Sequence, residues 1–548
     1  MVKQIVIVGG GTAGWMTAAY LKKALDATCN ITVVESPSIR TIGVGEATFS
    51  TVKLFFDWLD LDESEWMPSC NAAYKMAIKF VNWTARGGHF YHPFQRYDVV
   101  EGVNLGEWWL KLKRGSEPFD YACFTVPALC DHQRSPRHLD GRVFDDQVQG
   151  AYGEEHRARK GVLAEHLLQY PYAYHFDASL LADFLKTWAT RRGVRQVLDD
   201  VLEVTRAENG DIANLVTRNR GAIGGDLFVD CTGFRGLLIN QVLGEPFVSF
   251  SRSLLCDSAV AMQVPVDCGA EGIDPYTSAT ALSSGWVWRI PLYGRVGTGY
   301  VYSSAFVAAD EAEAELRRHL GPAAASCNAS RIKMRIGRCR NSWVRNCVAI
   351  GLASGFVEPL ESTGIFFIQH GIEELLSHLH DPANEKGDEL VKSYNRRIAE
   401  CIDGVMEFLT LHYRASDRRD TPFWRATQTD VEVPDGLAER LRLWQRRLPN
   451  RRNINPHYHG FESYSYSVML LGLGGPLEAS LPALDLLSPR RAIAAFDAVK
   501  SRTARLVASL PSQYEYLTHV RAAPGTGQRP KLQPYGAATT MKSSAIAG

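Results

Sequence analysis

The chain has 548 residues, more than one simple core organises, so at least two modules are expected. Its 60 basic and 60 acidic residues cancel and form no long basic stripe, which argues against nucleic acid or an anionic membrane as a partner. Eleven cysteines without C-x-x-C spacing read as the reduced thiols of a cytoplasmic protein, with Cys70, Cys123 and Cys231 as core filler. No charged-then-apolar leader precedes the first strand, no apolar run approaches the ~20 residues that cross a bilayer, and no metal site is expected.

The first element is the apolar, β-branched run Gln4-Ile5-Val6-Ile7-Val8. It leads straight into Gly9-Gly10-Gly11-Thr12-Ala13-Gly14, a G-x-G-x-x-G loop between strand and helix. In that setting Gly9 permits the tight turn, Gly11 lets backbone approach a pyrophosphate, and Gly14 allows close helix-to-strand packing. Trp15, Ala18, Leu21 and Leu25 then recur at helical spacing, so the N-terminal amides of this helix would face the phosphate. A second strand, 31–34, ends at Glu35, where an acid is expected to hold a ribose hydroxyl. Strand, loop, helix and acid in register predict a dinucleotide site; the plain alternative is a glycine-rich turn.

Further on, Ala73 to Trp83 reads as a strand. Period two puts Lys75 and Lys79 on one face, opposite Met76, Ile78 and Phe80, and does not rank the two lysines. Two solvated lysines on an exposed face are the simpler reading. From about 84 to 170 the chain carries arginine, glycine and histidine and is expected to fold over a substrate. Asp226-Leu227-Phe228-Val229-Asp230-Cys231-Thr232-Gly233 looks like a buried strand returning to the nucleotide, and Cys347-Val348-Ala349-Ile350-Gly351-Leu352-Ala353-Ser354 has the same form. Flavin monooxygenases usually place an acid where Leu352 stands. Between these runs lies Gly285-Trp286-Val287-Trp288-Arg289-Ile290-Pro291, whose alternation puts Trp286, Trp288 and Ile290 on one strand face as bulky core.

The segment Phe356-Val357-Glu358-Pro359-Leu360-Glu361-Ser362-Thr363-Gly364-Ile365 carries the densest chemistry. Ile365, Ile368, Ile372, Leu375 and Leu379 predict a helix from about Thr363, with free amides and a dipole suited to an anion. Ser362 and Thr363 read first as N-caps. Glu361 is a candidate buried base, and spacing alone leaves Glu358 equally placed. Beyond Ile365 the pattern is largely helical to about 520, as in 437–447 and 492–510, and Ala522 to Gly548 is expected to be disordered. Gly297-Thr298-Gly299 runs into a β-like stretch and Gly472-Leu473-Gly474-Gly475 into Pro476, so no second loop is placed for a nicotinamide cofactor.

Taken together, the glycine loop, Gly43-Val44-Gly45-Glu46-Ala47-Thr48, Tyr74-Lys75, the W-x-W-x-I-P segment and Glu358-Pro359-Leu360-Glu361-Ser362-Thr363-Gly364 resemble the flavin-dependent tryptophan halogenases, over nearly the whole chain. The resemblance implies an α/β fold: an FAD-binding Rossmann-like module of the glutathione-reductase and flavin-monooxygenase type at 1–360, interrupted at about 84–170, and a mainly helical substrate module at 361–520. It selects Lys75 and Glu361 as catalytic, with Glu46 and Ser50 as helpers. FAD would lie on Gly9, Gly10, Gly11, Thr12, Ala13, Gly14, Glu35, Ser36, Val201, Leu352 and Ile365, and chloride or bromide at Thr363 and Gly364. Phe49, His92, Pro93, Phe94, Tyr458, Phe461 and Glu462 would hold L-tryptophan, with Gln169 at its amino acid end. The tryptophan pair would keep substrate away from the flavin.

The implied reaction takes FADH2 from a separate NADH-dependent reductase by diffusion, and O2, through a flavin C4a-hydroperoxide and hypochlorous acid, to Lys75. Glu361 stabilises the ring cation and accepts its proton. Within the family, Gly45-Glu46-Ala47-Thr48-Phe49-Ser50, Tyr91-His92-Pro93-Phe94 and Tyr458-His459-Gly460-Phe461-Glu462-Ser463-Tyr464-Ser465 are similar to the tryptophan 5-halogenases, although Ser463 stands where that subgroup has threonine. Chlorination at indole C5 is the expectation, with C6, C7, another indole or an aromatic hydroxylase as alternatives. Neither membrane nor nucleic acid is implied, and a homodimer is left open.

Overall fold

The computed structural model describes residues 2–39, 45–113, 115–145, 170–379, 387–475 and 481–522. Gly43, Val44, residues 146–169 of the 84–170 stretch and the tail from 523 lie outside them.

A six-stranded sheet carries the nucleotide end. Gln4–Val8 sits between Asn30–Glu35 and Leu227–Asp230, all parallel; Arg195–Leu198 flanks one side, and Cys347–Ala349 with antiparallel Trp343–Val344 the other. Both runs read as returning strands therefore do join this sheet, Leu227–Asp230 beside Gln4–Val8 and Cys347–Ala349 one strand further out. Their unbroken apolar character follows from burial on both faces. Helix Thr12–Leu25 covers one face together with Ala178–Thr190 and Gly364–His378.

A seven-stranded sheet forms the second layer, in the order Ser330–Lys333, Ser258–Pro265, Arg295–Tyr302, Gly285–Leu292, Tyr276–Ala281, Ala77–Val81, His89–Pro93. The tryptophan pair lies at its centre. Trp288 stands opposite Gly299, and a Cβ there would come within 2.2 Å of the Trp288 ring, so glycine is what makes room for the indole. The same strand absorbs Gly297, Thr298 and Gly299, which accounts for the absence of a loop there.

The stretch read as one strand from Ala73 is two. Ala73–Lys75 pairs with Ala173–Phe176 in a small third sheet, whereas Ala77–Val81 joins the large one. Met76 is the break: its N–H donates to Pro275 O and its carbonyl accepts from Phe94 N. The shared face expected for Lys75 and Lys79 is lost at that break. Lys79 leans on Asp131 and the rings of Tyr91 and Tyr276, while Lys75 turns fully inward.

From Gly364 onward every regular element among the described residues is helical, including Gly387–Ala415, Ser463–Gly472 and Arg490–Ser509. None of the described helices is long and apolar enough to cross a membrane, and all eleven cysteines are free thiols.

Candidate active site

The glycine loop has the geometry its spacing implies. Gly9 has φ +113° and a Cβ on it would stand 2.3 Å from Cys231 O; a Cβ on Gly14 would stand 1.9 Å from Gly9 O. Gly11 differs, with nothing within 4 Å of where its Cβ would be. It faces a cavity of about 540 Å³ bordered also by Glu35, Ser36, Val201, Leu352 and Ile365. Glu35 closes its strand, accepts from Gln196 Nε2 at 3.0 Å, and folds against Gly10, where any side chain would collide with it. Thr232, Phe234 and Arg235, just past the returning strand, border the same space and were not singled out from sequence. An open glycine at a helix N-terminus, an acid at the second strand's end, and an apolar far wall of Trp288, Ile290, Met334 and Phe356 fit FAD.

Glu46 also borders this cavity. Burial, with Asp177 nearby, pushes its carboxyl up to about 7. Pro359, Ser362 and Gly364 close the cavity at one end, where helix Gly364–His378 begins. Thr363 is the N-cap, but its side chain makes no capping bond, and Ser362 instead ends the preceding turn Pro359–Glu361, its N–H donating to Pro359 O. The first-turn amides therefore stay without helical partners next to the open space at Gly364, which suits an anion.

Ser362 has another task. Lys75 Nζ donates to Ser362 Oγ at 2.8 Å and to Thr48 O at 3.1 Å, and lies 5.1 Å over the Phe94 ring. No part of Lys75 reaches solvent. Burial drives its amine down to about 7, against the pull of Glu361.

The two glutamates of the turn are pushed apart. Burial raises Glu358 to about 7, although Tyr413 and Trp286 both donate to its Oε2, the latter at 3.2 Å. Burial would raise Glu361 too, but the charge of His92 and hydrogen bonds from His412 and His92 bring it down to about 2. Its carboxyl lies 2.7 Å from His412 Nε2 and 3.1 Å from His92 Nδ1. The base expected here is thus buried yet held as an anion, and opposite environments separate it from Glu358.

Beyond Glu361 the rings gather. Phe49 packs on Phe94, Phe366 and Phe461; Phe461 stacks on Phe408 at 4.1 Å; and His92 faces Phe408, Phe461 and Tyr464. Pro93 is buried on the same strand. Glu462 stands at the N-cap position of the Ser463–Gly472 helix without a side-chain capping bond, half-exposed, in an ion pair with Arg96. Ser50 is buried with its Oγ unbonded. Tyr458 stands apart: half-exposed, it touches Phe366 and His370 rather than the cluster's centre. Gln169 lies outside the described residues. Sequence reasoning missed Phe408, His412 and Tyr413; the only trace was Phe408 and His412 four apart on a helix, a spacing many core pairs share.

Comparisons with known proteins agree with this geometry. The family model described as tryptophan halogenase matches residues 4–166 and 154–489. Tryptophan 6-halogenase SttH of Streptomyces toxytricini is 52% identical over 520 residues, 94% of this chain and 97% of that one; its crystal structure superposes with a TM-score of 0.88, covering 94% and 99% of the two chains. 7-Chloro-L-tryptophan 6-halogenase KtzR of Kutzneria sp. (strain 744) is 52% identical over 94% of this chain and 99% of its own. The structure of Tar14, a tryptophan C-6 flavin-dependent halogenase, gives a TM-score of 0.89 at 50% identity over 95% and 100% of the chains. These relatives do not carry the expected closeness to 5-halogenases. Matched along nearly all its length, the chain belongs to the tryptophan halogenase family of flavin-dependent enzymes.

Proposed function

We propose that the protein is an FADH2-dependent halogenase that puts chlorine, or bromine, on C6 of the indole of L-tryptophan. The ring position follows SttH, KtzR and Tar14, each named a 6-halogenase. C5 is the second reading, supported by the short segments around Glu46, His92 and Phe461. The observation that carries the reaction class is the buried amine of Lys75, bonded to a serine that itself borders the dinucleotide cavity. A hydroxylase has no use for such an amine.

Residues 9–14, Glu35, Ser36, Val201, Leu352 and Ile365 would hold FAD, which when bound and reduced supplies the activation of O2 that oxidises halide. The amides at Thr363 and Gly364 would hold that halide. Lys75, with amine and ammonium both populated near neutral pH, holds hypochlorous acid by a hydrogen bond, or its neutral amine forms an N–Cl bond as the O–Cl bond breaks and water leaves, and presents the chlorine to one ring carbon. Glu361 stabilises the positive charge that develops on the ring and accepts the proton that leaves. Glu46 and Ser50 assist from either side of Thr48, whose carbonyl holds Lys75. Phe49, His92, Pro93, Phe94 and Phe461 enclose the indole, with Glu462 and Tyr458 at the rim.

The division of labour places flavin on 1–360 and substrate under 361–520 and the 84–170 stretch. Reduced flavin arrives by diffusion from a separate NADH-dependent reductase. Incubation with a flavin reductase, FAD, NADH, O2, chloride and tryptophan should give monochlorotryptophan, and NMR of the product should place chlorine on C6. Chlorine on C5 would move the ring position alone; a hydroxylated product, formed with or without chloride, would overturn the reading.

A further inference from the structure

Consecutive residues of helix Gly387–Ala415 each hold one glutamate of the turn: Tyr413 donates to Glu358, and His412 meets Glu361. His412 Nδ1 lies 2.7 Å from the Phe408 carbonyl oxygen, one helical turn earlier. A carbonyl only accepts, so Nδ1 carries a hydrogen. Nε2 lies 2.7 Å from Glu361 Oε1, with both side chains sealed from solvent. Two lone pairs do not face each other at that distance in a buried site without strong repulsion, so one proton lies between Nε2 and Oε1. The other titratable groups facing this carboxyl are His92, from strand His89–Pro93, and Lys75, from Ala73–Lys75; His175 faces Lys75 in turn.

We propose that His412 is a positioning residue for halogenation: it shares one proton with Glu361 and, by keeping it on Nε2, leaves the carboxyl an anion able to take the proton of the substrate ring. The inference rests on the role proposed above for Glu361. In that step the ring C–H bond breaks, its electron pair returns to the aromatic ring, and an O–H bond forms at a lone pair of Oε2, which His412 does not touch and which meets His92 Nδ1 at 3.1 Å. His412 keeps its own two hydrogens throughout. Without the imidazole, which packs against Phe80 and Phe408, burial acts on Glu361 with only His92 and Lys75 left to oppose it and favours the protonated acid, which cannot serve as the base.

The test uses the full-length, FAD-loaded protein with a flavin reductase, NADH, O2, chloride and tryptophan. His412→Phe is expected to gain an acid limb in kcat, falling about tenfold per pH unit below a midpoint at least about one unit above that of the unsubstituted enzyme. His412→Gln, whose amide still donates to Oε1, is expected to fall between the two, with KM for tryptophan little changed in both. Infrared spectra of His412→Phe near neutral pH should show, beyond the protonated-carboxyl signal of Glu46 and Glu358 common to both proteins, an additional band that is removed by adding Glu361→Gln. Superimposable pH profiles in a folded His412→Phe protein, or no such band, would overturn the proposal. Should the unsubstituted enzyme halogenate no tryptophan, the substrate reading fails, and the infrared comparison still decides the role of His412.

Discussion

Lys75 Nζ and Ser362 Oγ, from residues 287 apart in sequence, form a 2.8 Å hydrogen bond, and Ser362 makes it from a left-handed backbone with φ +61°. That conformation costs a non-glycine residue about 1–2 kcal/mol, so the turn holds strain where the hydroxyl meets the amine. Ser362→Gly should relieve the strain and so recover part of the stability lost with the hydrogen bond to buried Lys75, yet slow halogenation because the hydroxyl is gone. Ser362→Ala, which keeps the strain and loses the hydroxyl, should be slower without the gain. Calorimetry beside product chromatography separates the two effects; a glycine variant less stable than the alanine one would contradict the strain argument.

Replacing Lys75 tests the amine directly. Lys75→Ala should lower the halogenation rate by about 10²-fold or more, since a positioned proton donor or nucleophile at the reacting atom contributes on that scale. FAD binding should be unaffected, because Lys75 does not border the dinucleotide cavity. Titration of FAD fluorescence alongside product analysis checks both halves. A variant with normal product yield would remove the lysine from the mechanism.

The loop glycines offer a contrast within one motif. At Gly14 a methyl group would sit 1.9 Å from Gly9 O, so Gly14→Ala should destabilise the apoprotein itself. At Gly11 a methyl group meets nothing within 4 Å, so Gly11→Ala should leave the apoprotein's melting temperature unchanged and weaken FAD binding, because the methyl fills the space a phosphate would approach. Equal losses of apoprotein stability in the two variants would mean that Gly11 is packed and not a cradle.

These contrasts also mark what the sequence could reveal. The glycine loop was legible because each role is played out among near neighbours: turn, helix start and packing against Gly9 all fall within Gly9 to Gly14, and Glu35 follows one strand later. The Lys75 face was not, because Met76 ends the strand through bonds to Pro275 and Phe94, and alternation carries no trace of those partners. Trp286 and Trp288 read correctly as bulk on a strand, but the bond from Trp286 Nε1 to Glu358 joins residues 72 apart. His412 had no motif to announce it. Ring position was the least legible, since Phe49, the His92–Phe94 segment and Phe461 converge from distant parts of the chain and small shifts among rings reorient an indole.

Glu358 makes a prediction about stability and pH. In the fold its carboxyl is raised to about 7 from the ordinary 4.5, chiefly by burial, so the folded state binds more protons than the unfolded chain between those values. Stability must then fall as pH rises through that window, by about 1.4 kcal/mol per unit at most from this group. Glu358→Gln cannot titrate. Its carbonyl can still accept from Trp286 Nε1 and Tyr413, and its amide would occupy the place of Oε1, with Cys256 nearby. The melting temperature of Glu358→Gln relative to the unsubstituted protein should therefore climb between about pH 5 and about pH 7 and level off above it. A difference that stays flat across that range would show that Glu358 is ionised in the fold throughout it, and that its hydrogen bonds, from Trp286 and Tyr413 among them, outweigh its burial.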